Sequence, residues 1–135
     1  MEFLMSGFSD YWENEVLDHL FGKGTYAPPV LYVALSTADP RDDGTGVAEP
    51  TGGSYARVAT AAGDWTAASQ GRVCNADIVT FTQATAPWST ITHFALYDAD
   101  LGGHLLASGP LADPCPVAQG DILRFAPADF NVTLE

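Results

Sequence analysis

The sequence predicts a mainly β protein, an antiparallel β-sandwich of about seven or eight short strands with one N-terminal α-helix. Three observations carry this. Helical periodicity occurs once, over residues 9–21, and from Pro28 onward apolar residues come in short β-prone runs broken by Gly, Pro and Asp. The length, 135 residues, suits one domain over residues 1–135, and such a chain buries roughly two-thirds of its unfolded surface.

The helix is read from Phe8, Trp12, Val16 and Leu20, which recur every four residues, with Leu17 and Phe21 widening the stripe. Asp10 and Glu13 suit an acidic first turn or a capping box, and Gly22-Lys23-Gly24 ends the helix with permissive backbone and a cation. Glu13, Asn14 and Asp18 fall on the other face, so the helix should lie half-buried.

After Pro28-Pro29, residues 30–35 (VLYVAL) form a nearly all-apolar strand, expected to be central and covered on both faces. Residues 37–54 hold four Gly and two Pro among polar groups. A loop this long is either a binding element or a segment ordered by a neighbour. Residues 55–59 form the next strand, 61–71 around Trp65 a loop or helical turn, and 72–75 a short strand. The runs 78–82 and 91–97 alternate, joined by a turn over 85–89 that carries Pro87-Trp88. A tight turn at 98–103 leads to strand 105–108, a loop at 111–119 containing Pro114 and Pro116, and strand 122–125. In 130–135, Phe130, Val132 and Leu134 share one face.

Composition narrows the function. Net charge is −12, and the only cations are Lys23, Arg41, Arg57, Arg72 and Arg124, too dispersed to neutralise a phosphate backbone. Nucleic acid and anionic membrane are therefore not expected partners. Residues 1–5 lack the basic flank and long apolar core of a secretory signal, so synthesis in a cytosol is expected. Hydrophobic residues make up 47% and charged residues 16%, a composition that fits either surface buried between molecules or a small, well-packed sandwich. Cys74 and Cys115 stand without a CxxC or an adjacent His, and a reducing cytosol favours two unpaired thiols.

The familiar catalytic patterns do not occur. Gly52-Gly53-Ser54-Tyr55 is not GxSxG, and His19, His93 and His104 lack metal-ligand spacing. His93 shares a strand face with Ile91, Ala95 and Tyr97, and reads as a partly buried, hydrogen-bonded histidine. From Asp39 the EF-hand register fails, with Arg41 where an acid is needed and Pro50 where the bidentate Glu should be. The Asp-rich turn instead reads as one whose carboxylates bond nearby amides. No enzyme activity, cofactor or metal is expected. Tyr and Trp remain as contact groups, and Trp65 and Trp88, in loop-like sequence, are expected to be exposed or interfacial.

An ordered signature runs through nearly the whole chain. It comprises 16–22 (VLDHLFG), 26–29 (YAPP), 31–37 (LYVALST), Glu49-Pro50, 53–58 (GSYARV), 78–81 (IVTF), 88–98 (WSTITHFALYD) and 120–125 (GDILRF). It resembles small tail-fibre-like or minor tail structural proteins of tailed bacteriophages. Cys74 and Cys115 are not part of that pattern. The resemblance implies a virion structural subunit, made in the bacterial host cytoplasm and partnered by its own copies and by larger phage virion proteins. A capsid decoration or cement protein on the phage head is the alternative. A module that binds or cleaves host surface glycan is the third reading, and cleavage would need two facing acids about 5–10 Å apart. Within this reading the contact regions are the 37–54 loop with Asp42 and Asp43, the helix face around Trp12, and the Trp65 and Trp88 loops. Arg57 is expected to make an ordering ion pair with Asp42 or Asp43, since a lone strand Arg needs an acceptor if buried.

Overall fold

The computed structural model describes residues 7–134. The readings made on residues 1–5 and on Glu135 lie outside these residues. Among the described residues the protein is mainly β, with one helix, nine strands, a curled seven-stranded sheet and a two-stranded sheet. The strands are β1 (Gly7–Phe8), β2 (Tyr32–Ser36), β3 (Val58–Ala59), β4 (Arg72–Cys74), β5 (Val79–Thr80), β6 (Ser89–Tyr97), β7 (Leu105–Val117), β8 (Arg124–Phe125) and β9 (Asn131–Thr133). The large sheet runs β3-β2-β6-β7-β1-β9-β4, and β5 pairs with β8. All pairs are antiparallel except β1 with β9.

Helix α1 (Asp10–Leu20) starts where Ser9 provides a cap, its hydroxyl accepting from the Trp12 N–H at 3.2 Å. Ser9 is buried, and its hydroxyl and N–H both donate to β7, at the Leu105 and Leu106 carbonyls. The helix is thus pinned to the sheet at its N-cap. It stops at Phe21, whose N–H returns to the Leu17 carbonyl, and at Gly22, which takes φ +74° and donates to the His19 carbonyl.

The helix is less covered than its stripe predicts. Phe8 and Trp12 pack on the core, but no residue of α1 is fully buried, and Leu20 and Phe21 are 70% and 74% exposed. Only the first turns reach the sheet, so the apolar stripe outruns the surface available to it.

Strand β2 is central, between β3 and β6, with Val33, Ala34, Leu35 and Ser36 inaccessible. Val33 and Leu35 enter the main core. There a chain of ring contacts of 4.6–6.0 Å runs from Phe81 through Phe125 of β8 and Phe130, just before β9, to Phe94 of β6. Ala34 points to the other face, into a second cluster with Ala95, Tyr97 and Leu105 that Val47 of the long loop covers. Residues 37–54 therefore pack on their own sheet. Ala48 donates to the Ser36 hydroxyl at 3.0 Å, and Gly46 donates to the Pro40 carbonyl at 3.0 Å.

Residues 111–119 depart from the expected loop, because β7 continues through Val117 and pairs with β6 at Ile91↔Cys115 and Thr90↔Pro116. Pro110, Pro114 and Pro116 are tolerated for a topological reason. β1 pairs only with Ala107 and Ser108, so the rest of β7 is an edge, and a register shift falls between Ile91 and His93. The short β1, before the helix, adds a strand that the sequence did not signal.

Candidate functional site

The six residues singled out from sequence fall into three places. Arg57 and Trp88 are structural centres of one region, Asp42 and Asp43 line a small cleft beside α1, and Trp12 and Trp65 line a larger apolar cleft.

Arg57 precedes edge strand β3, where its side chain is only 6% exposed. All three of its guanidinium nitrogens are used. Nε and Nη2 clamp Glu49 at 3.0 and 2.8 Å, and Nη1 donates to the Ala99 and Gly102 carbonyls at 2.7 and 2.9 Å. The guanidinium also lies 3.8 Å from the Tyr97 ring centroid. The expected partner was Asp42 or Asp43; it is Glu49, because the loop folds down on the sheet and delivers its distal end to β3.

Tyr55 extends this node. Its hydroxyl donates to Glu49 at 2.6 Å and accepts the Leu35 N–H at 2.9 Å. Burial alone would raise the Glu49 carboxyl, but hydrogen bonds from Arg57 and Tyr55 outweigh it and hold the pKa below the ordinary value. Burial, with the carboxylate beside it, pushes the Tyr55 phenol well above its usual range.

Trp88 is buried at 3% exposure, contrary to the exposed or interfacial position expected of it. Its indole N–H donates to the Gly53 carbonyl at 2.9 Å, and its ring meets Tyr55 edge-on at 5.4 Å. Gly53 has φ +61°, and a Cβ there would meet the Trp88 ring nitrogen at 2.8 Å, so this contact requires glycine. The connection between strands is thereby drawn into the core.

The small cleft, of about 360 Å³, is lined by Asp10, Tyr11, Asp42, Asp43 and His104 among others. Its carboxylates are not gathered on a common point. The Asp43 side chain accepts from the Thr45 N–H and hydroxyl at 3.0 and 2.8 Å, which lowers its pKa, and the Asp42 carbonyl accepts the Asp10 N–H at 2.9 Å. The Asp-rich segment is thus a set of self-bonded turns, as its composition suggested. Tyr11 stacks on His104 with centroids 4.0 Å apart, and His104 Nδ1 lies 2.9 Å from Asp98.

The large cleft, of about 530 Å³, lies between the start of α1, residues 28–31, the 60–73 segment and the last strand. Trp12 and Trp65 both face it, although neither is well exposed. The Trp65 indole donates to Thr60 at 2.9 Å, whereas the buried Trp12 indole N–H makes no hydrogen bond of full geometry. Val30 and Leu134, both mostly exposed, form part of its rim. Sequence patterns missed this site because its lining comes from residues as distant as Phe8 and Leu134.

Elsewhere, His93 is half-buried beside the Thr92 hydroxyl at 2.8 Å, and burial lowers its pKa. Cys74 and Cys115 are unpaired. Among the described residues no group of three or more His, Cys, Asp or Glu is arranged to hold a metal ion, and no helix is long and apolar enough to cross a membrane.

No curated protein matches the chain. A protein-family match covers residues 7–133, from β1 to the end of β9. The chain belongs to that family, described as Podophage GP4 fiber I protein gp80, a bacteriophage fibre-protein family.

Proposed function

We propose that this protein is a tail-associated fibre subunit of the virion that acts by non-catalytic contact with its own copies and with larger virion proteins. It is made in the host cytoplasm and then assembled. Family membership carries the virion assignment. The reading of contact as the mechanism rests on one further observation: among the described residues, large apolar side chains at the end of α1 and at the cleft rim, Leu17, Leu20, Phe21, Val30 and Leu134, are exposed. Such surface in a chain of net charge −12 fits burial against a partner. The acids best placed for chemistry are already engaged, Glu49 by Arg57 and Tyr55 and Asp98 by His104.

Immunogold labelling of intact particles tests the placement. Label on the tail is the expected result, and label confined to heads would replace it with the decoration reading. Incubation with host envelope polysaccharide tests the mechanism: release of new reducing ends would overturn the non-catalytic assignment.

A further inference from the structure

The large cleft lies where the two ends of the curled sheet are bridged by the 60–71 segment. Thr60 follows edge strand β3, Arg72 belongs to edge strand β4, and the buried Leu96 and Val132 form the floor, with Trp12 and Trp65 on the walls. Its volume of about 530 Å³ falls within the roughly 300–1,000 Å³ typical of small-molecule sites.

The lining is apolar apart from Thr60, whose hydroxyl is engaged by the Leu31 carbonyl and the Trp65 indole, and Arg72. Among the described residues Arg72 is the only charged one in it. Among the described residues the guanidinium of Arg72 has no ion pair, whereas Arg57 is fully engaged. Its place is set by a tight hairpin in which Ser69 and Arg72 exchange backbone hydrogen bonds of 2.9 and 3.1 Å. Gln70 and Gly71 between them take φ of 55° and 73°, the backbone of a two-residue hairpin turn. An otherwise acidic molecule therefore holds a cation at the mouth of an apolar socket.

Charge complementarity and shape together select the ligand class. We infer that the cleft binds an amphipathic monoanion, a carboxylate with a slim alkyl or aryl body, its tail against Trp12, Trp65 and Leu96 and its head on Arg72. A cationic amphiphile would meet like charge at the mouth, and a neutral one would forgo the charge-assisted hydrogen bond.

Decanoate is the probe, tested on the full chain below its micelle-forming concentration by equilibrium dialysis and tryptophan emission. Decyltrimethylammonium and decyl maltoside are run beside it. The expected result is saturable binding of decanoate with altered emission, weakened about tenfold in Arg72→Gln, largely retained in Arg72→Lys, and lost in Ala68→Phe, whose ring would occupy the cleft. Ala68 and Arg72 are both exposed, so each variant should keep the wild-type circular dichroism. The inference is overturned if decyltrimethylammonium binds as tightly as decanoate, if Arg72→Gln binds like wild type, or if binding does not saturate. It is equally overturned if light scattering shows a dimer that Ala68→Phe dissociates, since a second copy would then fill the cleft.

Discussion

Around Arg57 the strong donors and acceptors close on neighbours within the chain, whereas around the Trp12 and Trp65 cleft the apolar side chains at the rim lack cover. The first region joins four stretches distant in sequence: the long loop through Glu49, β2 through Leu35, the 98–103 turn through Ala99 and Gly102, and the 85–88 connection through Trp88. The second gathers Val30 and Leu134, and Leu20 and Phe21 are likewise exposed at the C-terminal end of α1. The difference separates two tasks. Polar groups that find partners inside hold the shape, and apolar groups left outside are the ones a virion partner can bury.

Substitutions should divide along that line. Trp88→Ala carries the largest expected effect, a loss of about 3–5 kcal/mol in urea unfolding, from a buried indole and its hydrogen bond to Gly53. A loss below about 1 kcal/mol would mean that the site collapses readily and is no structural centre. Arg57→Ala should cost about 3 kcal/mol, the low end for a broken buried pair, because the Glu49 side chain keeps 23% exposure. Arg57→Lys should recover little of it, since an ammonium cannot make the two-point clamp or reach the two carbonyls together.

The same node sets a pH dependence. The folded Glu49 carboxyl lies below its ordinary value, so its contribution is complete above the unfolded carboxylate pKa and is lost as pH falls through the lower folded value. Asp98 acts in the same direction: burial would raise it, but the His104 hydrogen bonds outweigh that. Glu49→Gln should therefore make unfolding less steep in acid while lowering stability at neutral pH, as followed by circular dichroism. The smallest expected change in stability, within about 0.5 kcal/mol, belongs to Leu20→Ser and Phe21→Ser on the open side.

Local chemistry made some of this legible in the sequence. The helix was set by its stripe and its stop at Gly22, and β2 and β6 by short β-prone runs. The need of Arg57 for an acceptor was legible too, but the acceptor's identity was not. Glu49 reaches it only because residues 37–54 fold onto the sheet, a packing that Val47 and Ser36 complete. Trp88 was misplaced for a similar reason, since Pro87-Trp88 has the composition of a turn while its partner Gly53 is far away in sequence. The prolines after Ser108 hid the second half of β7, because only topology reveals that this half is an edge. No periodicity could reveal the cleft, which is assembled from both ends of the chain.

The central claim is that the uncovered apolar surface is where this fibre-family protein meets its partners. Its most direct test is particle incorporation: a phage lacking the wild-type protein is supplied with the Leu17→Ser, Leu20→Ser, Phe21→Ser triple variant, and copies per purified virion are counted. The account predicts a folded protein, unchanged in its urea midpoint, that is missing from particles. Incorporation at wild-type copy number would contradict it.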